Sequence, residues 1–320
     1  MIRIHLQSTR RHVKILRRLW YWHVILILRT FTRILVCAAV FVASSVVMAA
    51  ATGYSVRSDV DRKLYRIDMM TGVASELGAT GFSKIEGLAI NSAGEIFGVN
   101  PATAQLVKCL STTGGCTAVG LLNGVPQLQT NAGLAFSTAG VLYLAMNAVV
   151  YRVDPLTATT VALGGSGPAL SGLAGLAPSA ACTSGLFGIG GNSDRGKLYC
   201  INVTNGTATL LGSIGIAPLD TGLDGDPVTG LVWGVSNDTP GQVFAVNPAT
   251  LALSNLNTVT LAGSPIGGFE SLAVVHVADV TVGATPVPTM SQIALILLAL
   301  SMAAVVALSL SRPARAVVKV

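Results

Sequence analysis

The sequence predicts an all-β chain built around a β-propeller, and three observations carry this. Four short apolar runs, separated by turn residues such as Thr71-Gly72 and Ala93-Gly94, recur along residues 52–277. One of these runs, with a Gly-Leu-Ala-like motif, begins at Gly87, Gly133, Gly172, Gly222 and Ser271, at intervals of 46, 39, 50 and 49 residues. Short strands joined by hairpins at this period are the pattern of propeller blades with four antiparallel strands each. The third observation is that the runs do not come out even: there are five of most kinds, but only four of the kind that follows the Gly-Leu-Ala run. The missing one lies at the front, in Thr52-Gly53-Tyr54-Ser55-Val56. One blade must then take its Glu270–Val277 strand from the end of the repeats and its other three from 52–78. That arrangement closes a ring of five blades, or of six if a degenerate repeat lies within 164–184.

Composition bounds the classes. The chain of 320 residues is 51% hydrophobic and 11% charged, with 35 glycines. It is too apolar for a disordered chain, and its glycines have no collagen period. The net charge of +6 belongs to the ends. Residues 1–51 carry Arg3, Arg10, Arg11, Lys14, Arg17, Arg18, Arg29 and Arg33 with no acid, and Arg312, Arg315 and Lys319 lie at the other end, whereas the middle is net acidic. No basic face for nucleic acid is implied; basic flanks beside apolar runs are topology signals.

In chain order, residues 1–51 read as a signal peptide or topogenic segment. The apolar run Ile34–Met48 follows the basic region and leads to Ala49-Ala50-Ala51, where cleavage is expected. Residues 52–277 are the repeat domain. Its runs include KLYRID, QLVKC, VVYRVD, KLYCIN and QVFAVN, and GLAI, GLAF, GLAG, GLDG and SLAVV. These resemble the broad class of bacterial propellers with LYxID…TG…GLAFDP…LYGV repeats. The resemblance implies that the Gly-Leu-Ala run is innermost and lines the central channel, where its small residues suit the crowding of the blades.

Residues 278–292 form a linker that ends in Val287, Pro288, Thr289, Met290 and Ser291. The apolar stretch 293–311 comes next, and its core Ile293–Leu310 is just long enough for a transmembrane helix. The basic tail 312–320 is expected to be cytoplasmic. Motif, apolar helix and arginines in this order resemble the IPTL-CTERM sorting signal, with Ile293 where that signal usually has Trp. The resemblance implies an exported protein of a Gram-negative bacterium, anchored in the envelope or sorted to the surface. Its partners would be the membrane, through the C-terminal helix, and the envelope sorting machinery.

Cys37 belongs to the leader, which leaves Cys109, Cys116, Cys182 and Cys200, an even number in an exported domain. Cys109 ends one run and Cys116 begins the next across a Ser-Thr-Thr-Gly-Gly turn, so they are expected to bridge; Cys182–Cys200 follows by elimination. Neither CxxC spacing nor clustered histidine points to zinc. After leader removal only His276 stays, with no GxSxG elbow beside it, so a Ser-His-Asp triad has no support.

Glu86 and Glu270 each directly precede an innermost run, in blades that are neighbours once the ring closes. Ala132, Ser171 and Thr221 fill the same column elsewhere. Two carboxylates at one channel mouth could hold a divalent cation or act as acid and base. The position resembles the metal-binding Glu column of gluconolactonase-type propellers, whose Asn and Asp ligands have no counterpart here. The plainer expectation is that each Glu caps a turn or pairs with a nearby Lys or Arg at a solvated rim. Asp220, Asp224 and Asp226 look superficially like a calcium loop but lack its spacing, and turn chemistry accounts for them.

Three function classes follow. The leading one is a non-catalytic binding module for a protein or glycan, with no cofactor. The alternative is a metal-dependent lactonase-like hydrolase or lyase using Glu86 and Glu270. The third is a self-associating surface-layer component. Fold alone does not decide among them.

Overall fold

Five sheets account for the repeats, and strands from the two ends of the repeat domain meet in one of them. The computed structural model describes residues 51–127 and 132–275. The expected leader, linker, sorting motif, apolar span, basic tail and His276 lie outside the described residues.

The described residues open with β1 (Thr52–Val56), β2 (Lys63–Asp68) and β3 (Val73–Ala79). Blade I is β4 (Glu86–Ile90), β5 (Ile96–Asn100), β6 (Gln105–Cys109) and β7 (Cys116–Leu121). Blade II is β8 (Ala132–Phe136), β9 (Leu142–Met146), β10 (Val149–Val153) and β11 (Thr160–Gly165). Blade III is β12 (Leu170–Gly175), β13 (Leu186–Gly190), β14 (Lys197–Ile201) and β15 (Ala208–Ser213). Blade IV is β16 (Thr221–Asp226), β17 (Leu231–Ser236), β18 (Gln242–Val246) and β19 (Leu253–Thr258). After a small hairpin, β20 (Thr260–Leu261) and β21 (Ser264–Pro265), the inner strand β22 (Ala273–Val275) completes blade V with β1, β2 and β3.

The expected closure is therefore present. β22 pairs antiparallel with β1 in the register Thr52↔Val275, Gly53↔Val274, Tyr54↔Ala273. No sixth blade hides in 164–184: that stretch supplies the end of β11, all of β12 and the long connection to β13.

The local chemistry of the repeat explains its regularity. Between the third and outer strands the chain makes a five-residue turn, closed by Gly72 N to Asp68 O (2.7 Å), Ala158 N to Asp154 O (2.9 Å), Gly206 N to Asn202 O (2.8 Å) and Leu251 N to Asn247 O (2.8 Å). The Asp or Asn side chain accepts a second backbone N–H two residues on, as from Met70 to Asp68 and from Leu156 to Asp154. The fifth residue sits in the left-handed region, which Gly72 (φ 76°) adopts without cost, whereas Leu251 holds φ 60° against its own Cβ. Within each blade the pairing of third and outer strands then shifts by a bulge, at Leu64/Tyr65, Leu106/Val107, Val150/Tyr151, Leu198/Tyr199 and Val243/Ala245.

The hydrophobic core is not central; it is five layers, one between each pair of neighbouring blades. Phe97, Leu106, Leu134 and Leu144 pack blades I and II. Leu173, Tyr199, Tyr143 and Val150 join II and III. Phe187, Leu198, Val232 and Phe244 join III and IV. Trp233, Val243, Tyr65 and Phe269 join IV and V. Val56, Leu64, Leu88 and Ile96 join V and I. Every blade thus buries both faces of its inner strands. This is why β4, β5 and β12 read as unbroken apolar or small runs, while outer strands such as β7 and β15 are largely exposed.

At the axis the inner strands meet backbone to backbone. A Cβ on Gly133 would lie 2.8 Å from the Gly172 carbonyl carbon, one on Gly172 2.4 Å from Thr221 O, and one on Gly222 2.2 Å from the Ser271 carbonyl carbon. Neighbouring inner strands thus leave no room between them for a side chain in this column. Only blade V carries a side chain in this column, and Ser271 uses it: its Oγ accepts the Val56 N–H at 3.2 Å, while the Ser55 hydroxyl donates to Ser271 O.

Candidate functional site

Ring closure brings the two candidate carboxylates together. Glu86 opens β4 of blade I, Glu270 lies just before β22 of blade V, and the two carboxyls are close enough to shift each other's proton affinity. Neither lies at a solvated rim: Glu86 is 1% and Glu270 4% exposed. Both were legible from their place before the innermost run. Their burial was not, because it follows from the convergence of the strands.

Two polar side chains converge on the pair. Lys84 reaches the site from the connection between β3 and β4, with Nζ 3.0 Å from Glu86 Oε1 and 3.3 Å from Asp59 Oδ1. Asn237, just past β17 of blade IV, donates from Nδ2 to Glu270 Oε1 at 2.9 Å. Glu270 Oε2 is buried with no hydrogen-bond partner among the described protein groups unless Glu86 carries a proton.

The electrostatics fit that proton. Burial, followed by the neighbouring Glu270 charge, pushes the Glu86 carboxyl well above the usual range. Burial also raises Glu270, a hydrogen bond from Glu86 and the Lys84 charge oppose the rise, and the nearby Asp59 adds to it. Burial pulls Lys84 down, yet Glu86, Glu270 and Asp59 together hold its ammonium above the ordinary lysine value. With a proton on one carboxyl the buried pair carries a single negative charge, and Lys84 lies against it with the exposed Asp59 on its other side. This is the arrangement that buried charge requires when no ion is supplied from outside. Lys84 thereby stands where a metal would otherwise provide positive charge. Among the described residues no group of three or more His, Cys, Asp or Glu side chains could hold a metal ion.

A second buried acid was read in the sequence as turn chemistry, and only its neighbour behaves so. Asp226 does cap the β16–β17 turn, accepting from Val228 N at 2.9 Å and Thr229 Oγ1 at 2.7 Å. Asp224 instead faces the adjoining blade: its Oδ2 accepts the Val274 N–H of β22 at 2.8 Å, and Oδ1 accepts Gly225 N at 2.8 Å. Burial pushes its carboxyl up to about 8. A sequence signal existed, because Asp224 stands in the column filled by Ala89, Ala135, Ala174 and Ala273 in the other blades.

The cysteines pair as expected. Cys109–Cys116 joins opposed residues of β6 and β7, and Cys182–Cys200 ties the long β12–β13 connection to β14. Two disulfides suit an oxidising, exported environment. Among the described residues no helix is long and apolar enough to cross a membrane.

Further grooves lie at the rim. One, about 570 Å³, is bounded by Leu142, Arg152, Asp154, Thr157 and Val161 of blade II. Smaller ones recur at the corresponding edges of blade V, beside Arg66 and Asp68, and of blade III, beside Ser184 and Asn202.

No family model and no curated protein matches the chain. Among solved structures it is similar to virginiamycin B lyase from Staphylococcus aureus, at 14% identity and a TM-score of 0.37, with 61% of this chain and 62% of that one covered. It therefore spans less than two thirds of that enzyme's length. It is also similar to a chain of a nidogen–laminin complex, at 14% identity and a TM-score of 0.43, with 70% of this chain and 84% of that one covered.

Proposed function

We propose that this chain is an exported β-propeller, anchored in or sorted through a Gram-negative cell envelope by its C-terminal segment, and that it acts as a non-catalytic binding module for a protein or glycan. One observation carries the reading: the two candidate carboxylates are buried, with the Lys84 ammonium against Glu86 and the Asn237 amide against Glu270. The exposed surfaces offered for recognition are the rim loops, their grooves and the outer strands. The tail motif Val287, Pro288, Thr289, Met290, Ser291, with the apolar stretch and basic end after it, supports display at the envelope.

The test is site-specific photocrosslinking in the envelope from Leu156 and Val228, exposed apolar residues on rim turns of blades II and IV. A discrete adduct dependent on one turn supports the reading. Adducts indistinguishable from those of a probe at buried Leu88 overturn it.

A second reading rests on the carboxyl pair itself. Two buried acids with displaced proton affinities are also how acid–base sites are built. A metal-dependent lactonase-like hydrolase or lyase would use Glu86 and Glu270, and it would have to expel Lys84 to admit a cation. Stoichiometric divalent binding that is lost on Glu86→Ala with Glu270→Ala would favour it.

A further inference from the structure

The third strand of every blade carries one residue in a common column, fixed by its register with the outer strand. Arg66 stands opposite Ser75, Lys108 opposite Thr117, Arg152 opposite Val161, Cys200 opposite Thr209 and Ala245 opposite Ser254. Three consecutive blades, V, I and II, thus hold a cation there. In blade I it is already paired, with Lys108 Nζ 2.5 Å from Glu95 Oε1. In blade III the Cys182–Cys200 disulfide takes the place. Arg66 and Arg152 are exposed, and neither guanidinium has a hydrogen-bond or ion-pair partner among the described residues.

Each of these arginines lines a rim groove. Arg152 does so with Asp154, Thr157, Thr159 and Val161, and Arg66 with Asp68, Thr71 and Ser75. The acid of each groove is engaged by its own turn: Asp154 accepts Leu156 N at 2.8 Å, and Asp68 accepts Met70 N at 2.9 Å and Thr71 N at 3.2 Å. The guanidinium, with five N–H donors, is the strong hydrogen-bonding group left to meet a ligand, and it calls for an acceptor of negative charge. One acid beside each arginine disfavours a dense polyanion. Carboxylates spaced along a neutral, hydroxyl-rich chain fit better.

We propose that the two grooves are equivalent subsites for a glycan that carries carboxylates. Each guanidinium takes one carboxylate through paired N–H···O bonds, and the threonine and serine hydroxyls meet sugar hydroxyls. The proposal rests on the binding-module reading and names the ligand of that module.

Two observations favour a glycan over an acidic peptide. Peptide and protein partners are anchored mainly by aromatic side chains and Arg in desolvated pockets, and the large exposed apolar residues among those described are all Val or Leu. The same set of arginine, acid and hydroxyl also repeats on two blades, as a chain of repeating units requires. Blade III supplies an internal comparison: its groove keeps Asn202, Thr204 and Thr209 but has Cys200 where the arginine would be. It offers sugar hydroxyls partners and a carboxylate none.

Calorimetric titration of the full chain in non-ionic detergent tests this, with oligogalacturonate and oligoalginate as probes. At least one should bind, and its affinity should fall as salt is added. The same oligomer with its carboxyls reduced to alcohols should not bind. Arg66→Gln and Arg152→Gln should each weaken binding roughly tenfold or more, the loss of a charge-assisted hydrogen bond. Arg152→Lys, which keeps the charge but not the planar fork, should fall between wild type and Arg152→Gln. Arg195→Gln, an exposed arginine on the connection between β13 and β14, should change nothing. Binding of neither uronate overturns the proposal. So does equal binding of the carboxyl-reduced oligomer, equal binding of poly-glutamate, or an affinity untouched by the Arg66 and Arg152 variants. A discrete photoadduct from Leu156 that persists in Arg152→Gln would overturn this ligand assignment while leaving the binding-module reading standing.

Discussion

Gly222→Ala should be among the most damaging single-methyl additions in this protein. The new Cβ would lie 2.2 Å from the carbonyl carbon of Ser271 and 2.5 Å from Leu272 N, both backbone atoms of the neighbouring inner strand. Carbon atoms pack at about 3.5–4.0 Å, so the two strands would have to part by more than ~1 Å. Nothing there is a side chain that could turn away. Overpacking of this kind costs roughly 1–3 kcal/mol. The displacement would also strain two hydrogen bonds on Ser271, to Val56 N and from the Ser55 hydroxyl, each worth about 1 kcal/mol. A loss of about 3–5 kcal/mol is expected from these contributions. Urea denaturation of the purified chain reads it as a lowered midpoint. Gly115→Ala is the control: the nearest atom to its Cβ is Thr113 Oγ1 at 3.7 Å, and its φ is not left-handed. It should be neutral or stabilising by up to ~1 kcal/mol, because it only restricts the unfolded chain. A Gly222→Ala loss below about 1 kcal/mol would refute the backbone contact between β16 and the Ser271–Leu272 segment, since overpacked backbone cannot be that cheap.

Other consequences follow from the same contacts. Lys84→Met should destabilise by about 3 kcal/mol by leaving the buried pair without its cation, and adding Glu86→Gln should restore most of the loss; thermal denaturation of the single and double variants checks both. Asp224→Ala should cost about 1–3 kcal/mol by orphaning the Val274 N–H, whereas Asp224→Asn should cost less and flatten stability between pH 4 and about 8, where the wild type declines; denaturation across that range reads the difference. Replacing both members of each cystine by alanine should cost roughly 2.4 kcal/mol for Cys109–Cys116 and 3.2 kcal/mol for Cys182–Cys200, because loops of 7 and 18 residues release different amounts of chain entropy. The ordering in urea midpoints is the sharper check.

Much of the architecture is legible in the sequence because each blade repeats its own local instructions. An Asp or Asn four residues before a left-handed position sets the turn, as at Asp68–Gly72, and the short glycine-bearing runs mark the inner strands. Even the shared blade follows from one missing strand. What the repeats hide is the contact between blades. Glu86 and Glu270 stand in the right column, but an isolated carboxylate reads as solvated; only strand convergence places them against each other with Lys84 above. Asp224 failed for the opposite reason. Its neighbours Gly225, Asp226 and Pro227 form a strong turn signal, and that signal masked the buried alanine column in which Asp224 stands. The blade number was open for a similar reason, because the long connection between β12 and β13, stapled by Cys182–Cys200, has the length and composition of a degraded repeat.

The binding-module account turns on whether the carboxyl pair is sealed and complete without an ion. Calorimetric titration of the purified chain with calcium and with zinc measures this directly, with Glu86→Gln/Glu270→Gln as the reference. No stoichiometric heat in the wild type, and the same trace in the double variant, is the result expected of a pair neutralised by Lys84 and a shared proton. One equivalent bound by the wild type and lost in the variant would contradict the account and make the pair a metal centre.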